Sequence, residues 1–140
     1  MAMTTPTAAG REPTADPRWR VAGGFLDALS RRDFVALTDS MAPNVAFRAL
    51  TPGGIREASD AAAATAYFQR WFATQQEFAV IDAEVGQVGS RLSLRWRLRT
   101  CAAEPGAVGC VIEQHAFTTV EDRITALDLI CSGFHPECRP

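Results

Sequence analysis

The chain has no lysine, so all 14 basic residues are arginines, and it has only two histidines, one tyrosine and four cysteines. The missing lysines, beside a richness in alanine, read as a coding bias. Charge of one sign is also missing: the net charge is −2, which gives no electrostatic footprint for nucleic acid or an anionic membrane surface. No apolar run approaches the roughly 18 residues that would span a bilayer. The start, MAMTTPTAAGREPTADP, has neither a basic opening nor an apolar core, so it does not read as a secretory signal. Its Thr, Pro and Ala content predicts a disordered tail over residues 1–16, and the simplest location is cytoplasmic.

The cysteines fall at 101, 110, 131 and 138, spacings that match no zinc-finger pattern. Cys131, His135 and Cys138 could in principle approach one metal, but no fourth ligand is evident. No metal and no cofactor is therefore expected. Cys138 reads as a tail thiol, and Cys110 and Cys131 as small core residues.

What is present suits one globular domain: 140 residues, of which 47% are hydrophobic. Asp16-Pro17 starts a helix, a capping carboxylate followed by proline, and Val21, Phe25, Ala28 and Leu29 recur at helical spacing. Gly23 and Gly24 weaken that helix, which suggests a close approach to its backbone. Asp33 caps a second helix, FVALTDSMA, that stops before Pro43. NVAFRAL (44–50) reads as a strand closed by Thr51, Pro52, Gly53 and Gly54. Ser59-Asp60 opens a third helix to about Gln75, with Ala64, Phe68, Trp71 and Phe72 as a core stripe.

Everything after Glu77 is strand-like. RLSLRWRLRTC alternates Leu92, Leu94, Trp96 and Leu98 on one face with Ser93, Arg95, Arg97 and Arg99 on the other. Asp82, Glu84 and Asp128 are available as cross-strand partners, so the arginine row reads as a solvated or dimer-buried outer face. The class is α+β, in the order helix, helix, strand, helix and then four consecutive antiparallel strands. The domain is expected over 17–135, with a short tail at 136–140.

In VIEQHAF (111–117), Val111, Glu113, His115 and Phe117 share one face because side chains two apart on a strand point the same way. That face is either water-facing or a cavity wall carrying an acid and an imidazole. Its partner depends on the turn at Glu121-Asp122. A two-residue turn sets His115 against Asp128, whereas a bulged three-residue turn sets it against Leu129 and Glu113 against Cys131. The bulged form is preferred because it gives the pocket Leu127, Leu129 and Cys131 and sends Asp128 outward.

The element order, with FVALTDSMAPNVAF, AYFQRWF and the hairpin around DRITALDLI, resembles the nuclear transport factor 2-like superfamily. More narrowly, it resembles the SnoaL-like polyketide cyclases and ketosteroid isomerases. The resemblance covers about residues 18–135 and implies a cone, a strongly curved antiparallel sheet wrapped on three N-terminal helices around an apolar pocket. Matched without gaps, the isomerase tyrosine falls on Phe25, the base on Ala49 and the deep acid on Glu113. The cyclase histidine and acid fall on Phe117 and Cys131. The strand arginines alternate with Leu and Trp, so the Asp-Arg-Asp triad of the limonene epoxide hydrolase-like members is not evident.

The resulting expectation is a cofactor-independent enzyme moving a proton on a small apolar, carbonyl-bearing molecule such as a polyketide. Glu113 and His115 would be catalytic, in a pocket walled by Phe25, Phe47, Phe68, Phe72, Trp96, Phe117, Leu129 and Cys131. The relatives also imply a homodimer paired through the outer sheet face. The alternatives are a non-catalytic module that holds a lipophilic ligand, and a dimerisation module of the same fold.

Overall fold

A computed structural model of the chain describes residues 16–137. Of the tails expected at residues 1–16 and 136–140, residues 1–15 and 138–140, Cys138 among them, lie outside the described residues.

Helix α1 (Pro17–Ser30) begins where the sequence places it. The Asp16 carboxylate accepts the Arg18 N–H at 3.0 Å, and proline fills the first turn, where its missing N–H costs nothing. Ala22, Phe25, Ala28 and Leu29 are its buried face. Gly23 and Gly24 lie on the exposed face, where an added Cβ would meet nothing within 4 Å. The close approach expected there is therefore absent among the described residues.

Helix α2 (Phe34–Asp39), capped by Asp33, is shorter than the FVALTDSMA pattern suggests. Met41 instead opens strand β1 (Met41–Thr51), because Ser40 O accepts the Ile124 N–H and Met41 pairs with Ile124. Tertiary pairing thus wins over the end of a nine-residue helical pattern and leaves a helix of six residues. After the turn, β2 (Gly54–Ala58) folds back on β1, a strand the sequence pattern does not show. Gly54 makes that turn with φ 121°, backbone that other residues rarely adopt. Asp60 caps α3 (Ala61–Phe72), which buries Ala64, Thr65, Phe68 and Phe72.

The remaining strands are β3 (Gln75–Val88), β4 (Arg91–Ala102), β5 (Cys110–Val120), β6 (Ile124–Cys131) and the short β7 (His135–Pro136). The sheet order is β2-β1-β6-β5-β4-β3, with β7 on β5. One pair, β1 with β6, is parallel and the rest are antiparallel, so the sheet is mixed rather than wholly antiparallel. It is curved and unclosed around three helices, the α+β cone. Pro136 pairs with Cys110 and the Glu137 N–H bonds Gly109 O, so ordered pairing continues beyond residue 135.

Candidate functional site

Residues directly opposite each other in a sheet share a face, and that fixes what VIEQHAF does. The Leu92, Leu94, Trp96 and Leu98 face of β4 turns inward, and its partners on β5 are Thr118, Ala116, Gln114 and Ile112. Glu113, His115 and Phe117 therefore lie on the outer face, opposite Arg97, Arg95 and Ser93. Burying two polar but uncharged residues, Gln114 and Thr118, costs less than burying a carboxylate and an imidazole.

The pocket expected from the sequence is thus divided by the sheet. Phe25, Phe47, Phe68, Phe72, Trp96 and Leu129 lie inside, and half-buried Cys131 also points in. Glu113, His115 and Phe117 are on the opposite side. The physical reason is the β5–β6 hairpin: Val120 pairs with Ile124 across three residues, and a further bulge follows at Thr119/Val120. His115 then faces Ile130 and Phe117 faces Asp128, one residue further along than the preferred register. Leu127 and Leu129 point in and Asp128 out, as that register also required.

Aromatic side chains of the described residues pack against one another inside the cone. Phe25 contacts Phe68 and Trp96 with ring centroids 5.8 Å apart in each case, and Phe47 contacts Phe68 at 5.9 Å. Phe25, Phe68, Phe72 and Trp96 are all 0% exposed. The buried polar side chains among the described residues are Thr65, Thr100, Gln114 and Thr118, and none is ionisable. Gln114 is the one the sequence reading passes over. Its Oε1 accepts the Trp96 indole N–H at 2.7 Å, and its Nε2 donates to Cys131 Sγ at 3.3 Å. At the ungapped family positions Phe25 and Ala49 do face inward, but on β5 the inward residue is Gln114, not Glu113.

The outer face carries the charge. Glu113 Oε2 lies 2.8 Å from His115 Nε2, and Oε1 accepts the Arg97 Nε–H at 3.0 Å. The His115 hydrogen bond, then that of Arg97, holds the Glu113 carboxyl below the usual carboxylate range. This is the reverse of the upward shift that burial in an apolar pocket would give. Arg95 pairs with Glu84 at 2.7 Å and Asp82 at 3.0 Å, Arg91 with Asp128 at 2.8 Å, and Arg99 with Glu137 at 2.9 Å. The arginine row is thus neutralised by its neighbours, as the sequence anticipates for Asp82, Glu84 and Asp128.

Two of the clefts on this face are lined by Phe117. One, about 310 Å³, is bounded by Glu84, Gly86, Gln87, Ser93, Arg95 and His115. The other, about 280 Å³, is bounded by Leu50, Ile55, Leu129 and Ile130, with Arg48 and Asp128 at its rim. Leu50, Ile55 and Ile130 are each 53–54% exposed. Their exposure was not legible in advance because β2 was not anticipated and the register of β6 was not known. Among the described residues no three His, Cys, Asp or Glu side chains converge as metal ligands, and His135 Nε2 lies 2.8 Å from Ser132 O. No described helix is long and apolar enough to cross a membrane.

The sequence profile of the SnoaL-like domain family matches residues 22–127. No curated protein matches the chain. Among solved structures, a protein of Xanthomonas campestris pv. campestris described as a candidate polyketide cyclase is 21% identical, with a TM-score of 0.64 over 82% of this chain and 92% of its own. IdmH of Streptomyces antibioticus, described in the same terms, is 17% identical with a TM-score of 0.66 over 83% and 92%. A nuclear transport factor 2-like protein of unknown function from Burkholderia pseudomallei is 16% identical with a TM-score of 0.63 over 81% and 89%. At such identities the likeness is one of fold. The profile match, the capped helices and the curved mixed sheet agree: this chain belongs to the SnoaL-like domain family.

Proposed function

We propose that this chain is a non-catalytic SnoaL-like module that holds a small lipophilic molecule on its outer sheet face. The observation that carries the reading is the division of the sheet. Among the described residues Phe25, Phe68, Phe72 and Trp96 are fully buried inside the cone, and no ionisable side chain is buried with them. The outer face, by contrast, leaves Leu50, Ile55 and Ile130 half exposed around one cleft beside Phe117. Concave, mostly apolar surfaces with a few polar groups are where small ligands bind. The family fold is one that takes small apolar ligands, and relatives described as polyketide cyclases fit that class. Under this reading Glu113 and His115 shape the polar side of the surface and do not exchange a proton with substrate.

A second reading places another copy of this chain on the same apolar surface. It is favoured by Leu50, Ile55 and Ile130, each more than half exposed on that surface. Native mass spectrometry and sedimentation at micromolar concentration separate the two. A monomer that binds naphthalene, with binding lost in Ile130→Asp, supports the first reading. A dimer dissociated by Ile130→Asp supports the second. A co-purified molecule that survives Ile130→Asp and leaves only when the core is opened by Phe68→Ala would refute both.

A further inference from the structure

The sheet ends in two unlike edges. Strand β2 is five residues long, whereas β3 runs for 14 residues and, among the described residues, pairs only with β4. A short edge offers little backbone to a partner, but a long one leaves a row of N–H and C=O groups open. We propose that the edge of β3 over Asp82–Val88 is a docking site for an extended segment of another protein, one that alternates basic with apolar residues and is taken up as an added strand.

The register sets the stretch. Ile81 is the extra residue of a bulge between Val80 and Asp82, and pairing with β4 then runs without a shift from Asp82 opposite Arg97 to Val88 opposite Arg91. Seven residues are thus presented in regular geometry for the main-chain hydrogen bonds of an added strand. Their two faces differ. Asp82 and Glu84 stand opposite Arg97 and Arg95 on the outer face, and Ala83 and Val85 stand opposite Trp96 and Leu94 on the inner one. An added strand keeps that alternation, so every second side chain lies on the face of the carboxylates and those between lie on the face of Ala83 and Val85.

Charge names the partner. Strand β3 carries Glu77, Asp82 and Glu84 and no basic residue. One guanidinium, that of Arg95, serves both Asp82 and Glu84, bonding Asp82 Oδ2 at 3.0 Å and Glu84 Oε1 at 2.7 Å. Arg97, opposite Asp82, is instead bonded to Glu113. Asp82 Oδ1 and Glu84 Oε2 therefore hold no hydrogen bond to another described residue, and the two side chains are 48% and 62% exposed. Those oxygens can accept from an incoming arginine or lysine. A second copy of this chain would bring its own Asp82 and Glu84 to the edge, adding like charge that opposes pairing.

The test titrates the full chain into a fluorescein-labelled heptapeptide that alternates arginine and valine, read by fluorescence anisotropy. The peptide should bind with a Kd tighter than about 1 mM, and one alternating glutamate and valine should bind at least about tenfold more weakly. Methylating the backbone nitrogens of either the valines or the arginines blocks one edge of the peptide strand. One of these two series should lose about tenfold or more, and the other should keep its affinity. Glu84→Gln should weaken the arginine peptide about two- to fivefold, the range for one cross-strand charge pair. Amide hydrogen exchange should slow at Asp82–Val88 when the peptide is present. No binding at about 1 mM, equal binding of the glutamate peptide, equal affinity for the two methylated series, or slowing confined to other strands overturns the proposal. So does slowing at Asp82–Val88 that grows with protein concentration without peptide, since a second copy would then close the edge.

Discussion

Gln114→Leu tests whether the cone interior is a structural core. Gln114 is 0% exposed, and its amide answers two partners, the Trp96 indole at 2.7 Å and Cys131 Sγ at 3.3 Å. Leucine is similar in bulk and apolar, so little cavity opens, but the Trp96 N–H is left buried with no acceptor. An orphaned buried donor costs about 1–3 kcal/mol. For a domain of this size each kcal/mol moves the melting temperature by about 3–5 °C, so the variant should melt roughly 5–10 °C below the parent. The decisive comparison is the double variant Gln114→Leu with Trp96→Phe, which removes donor and acceptor together. In thermal denaturation followed by circular dichroism, it should be less destabilised than the sum of the singles by about 1 kcal/mol or more. Additivity within about 0.5 kcal/mol, or a Gln114→Leu variant that melts with the parent, would refute the reasoning.

Three further outcomes follow from local features. Gly24→Ala on the exposed face of α1 should raise stability by about 0.5–1 kcal/mol, seen as a higher urea midpoint, because nothing lies within 4 Å of the added methyl. A lower midpoint would show that the helix face is in contact with something. Gly133→Ala should destabilise by about 1–3 kcal/mol, since Gly133 has φ 80° and its Cβ would lie 2.6 Å from Pro52 Cγ; an unchanged melting curve would contradict that. Glu113 has its folded-state pKa depressed by His115 and then Arg97, so its contribution is present above the unfolded pKa and is lost as pH falls through the folded one. The gap between parent and Glu113→Gln should therefore be a few tenths of a kcal/mol at neutral pH and close in acid, as suits a half-exposed ion pair. A gap that widens on acidification would show that the carboxyl is not held ionised.

Much of the fold was legible because its signals are local. Asp16, Asp33 and Asp60 cap the helices at the positions where their side chains precede apolar periodicity. The clean alternation of β4 fixed its own two faces before any partner was known, and it placed the arginine row outside with Asp82, Glu84 and Asp128 as its partners. The helix pattern over-reached at Met41 and missed β2, because each of those segments takes its conformation from a neighbouring strand.

The faces of β5 were a different matter. By itself the sequence determined that Glu113, His115 and Phe117 share one side and that Gln114 lies on the other, since strand side chains alternate. Which side is the core it could not determine. The loop AAEPGAVG and the bulged Glu121-Asp122-Arg123 turn set the pairing, and a shift of one residue in either hairpin exchanges the two faces. Only the assembled sheet, with Trp96 seated against Gln114 and Phe117 against Asp128, turned the amide into the core and the acid and imidazole out to solvent.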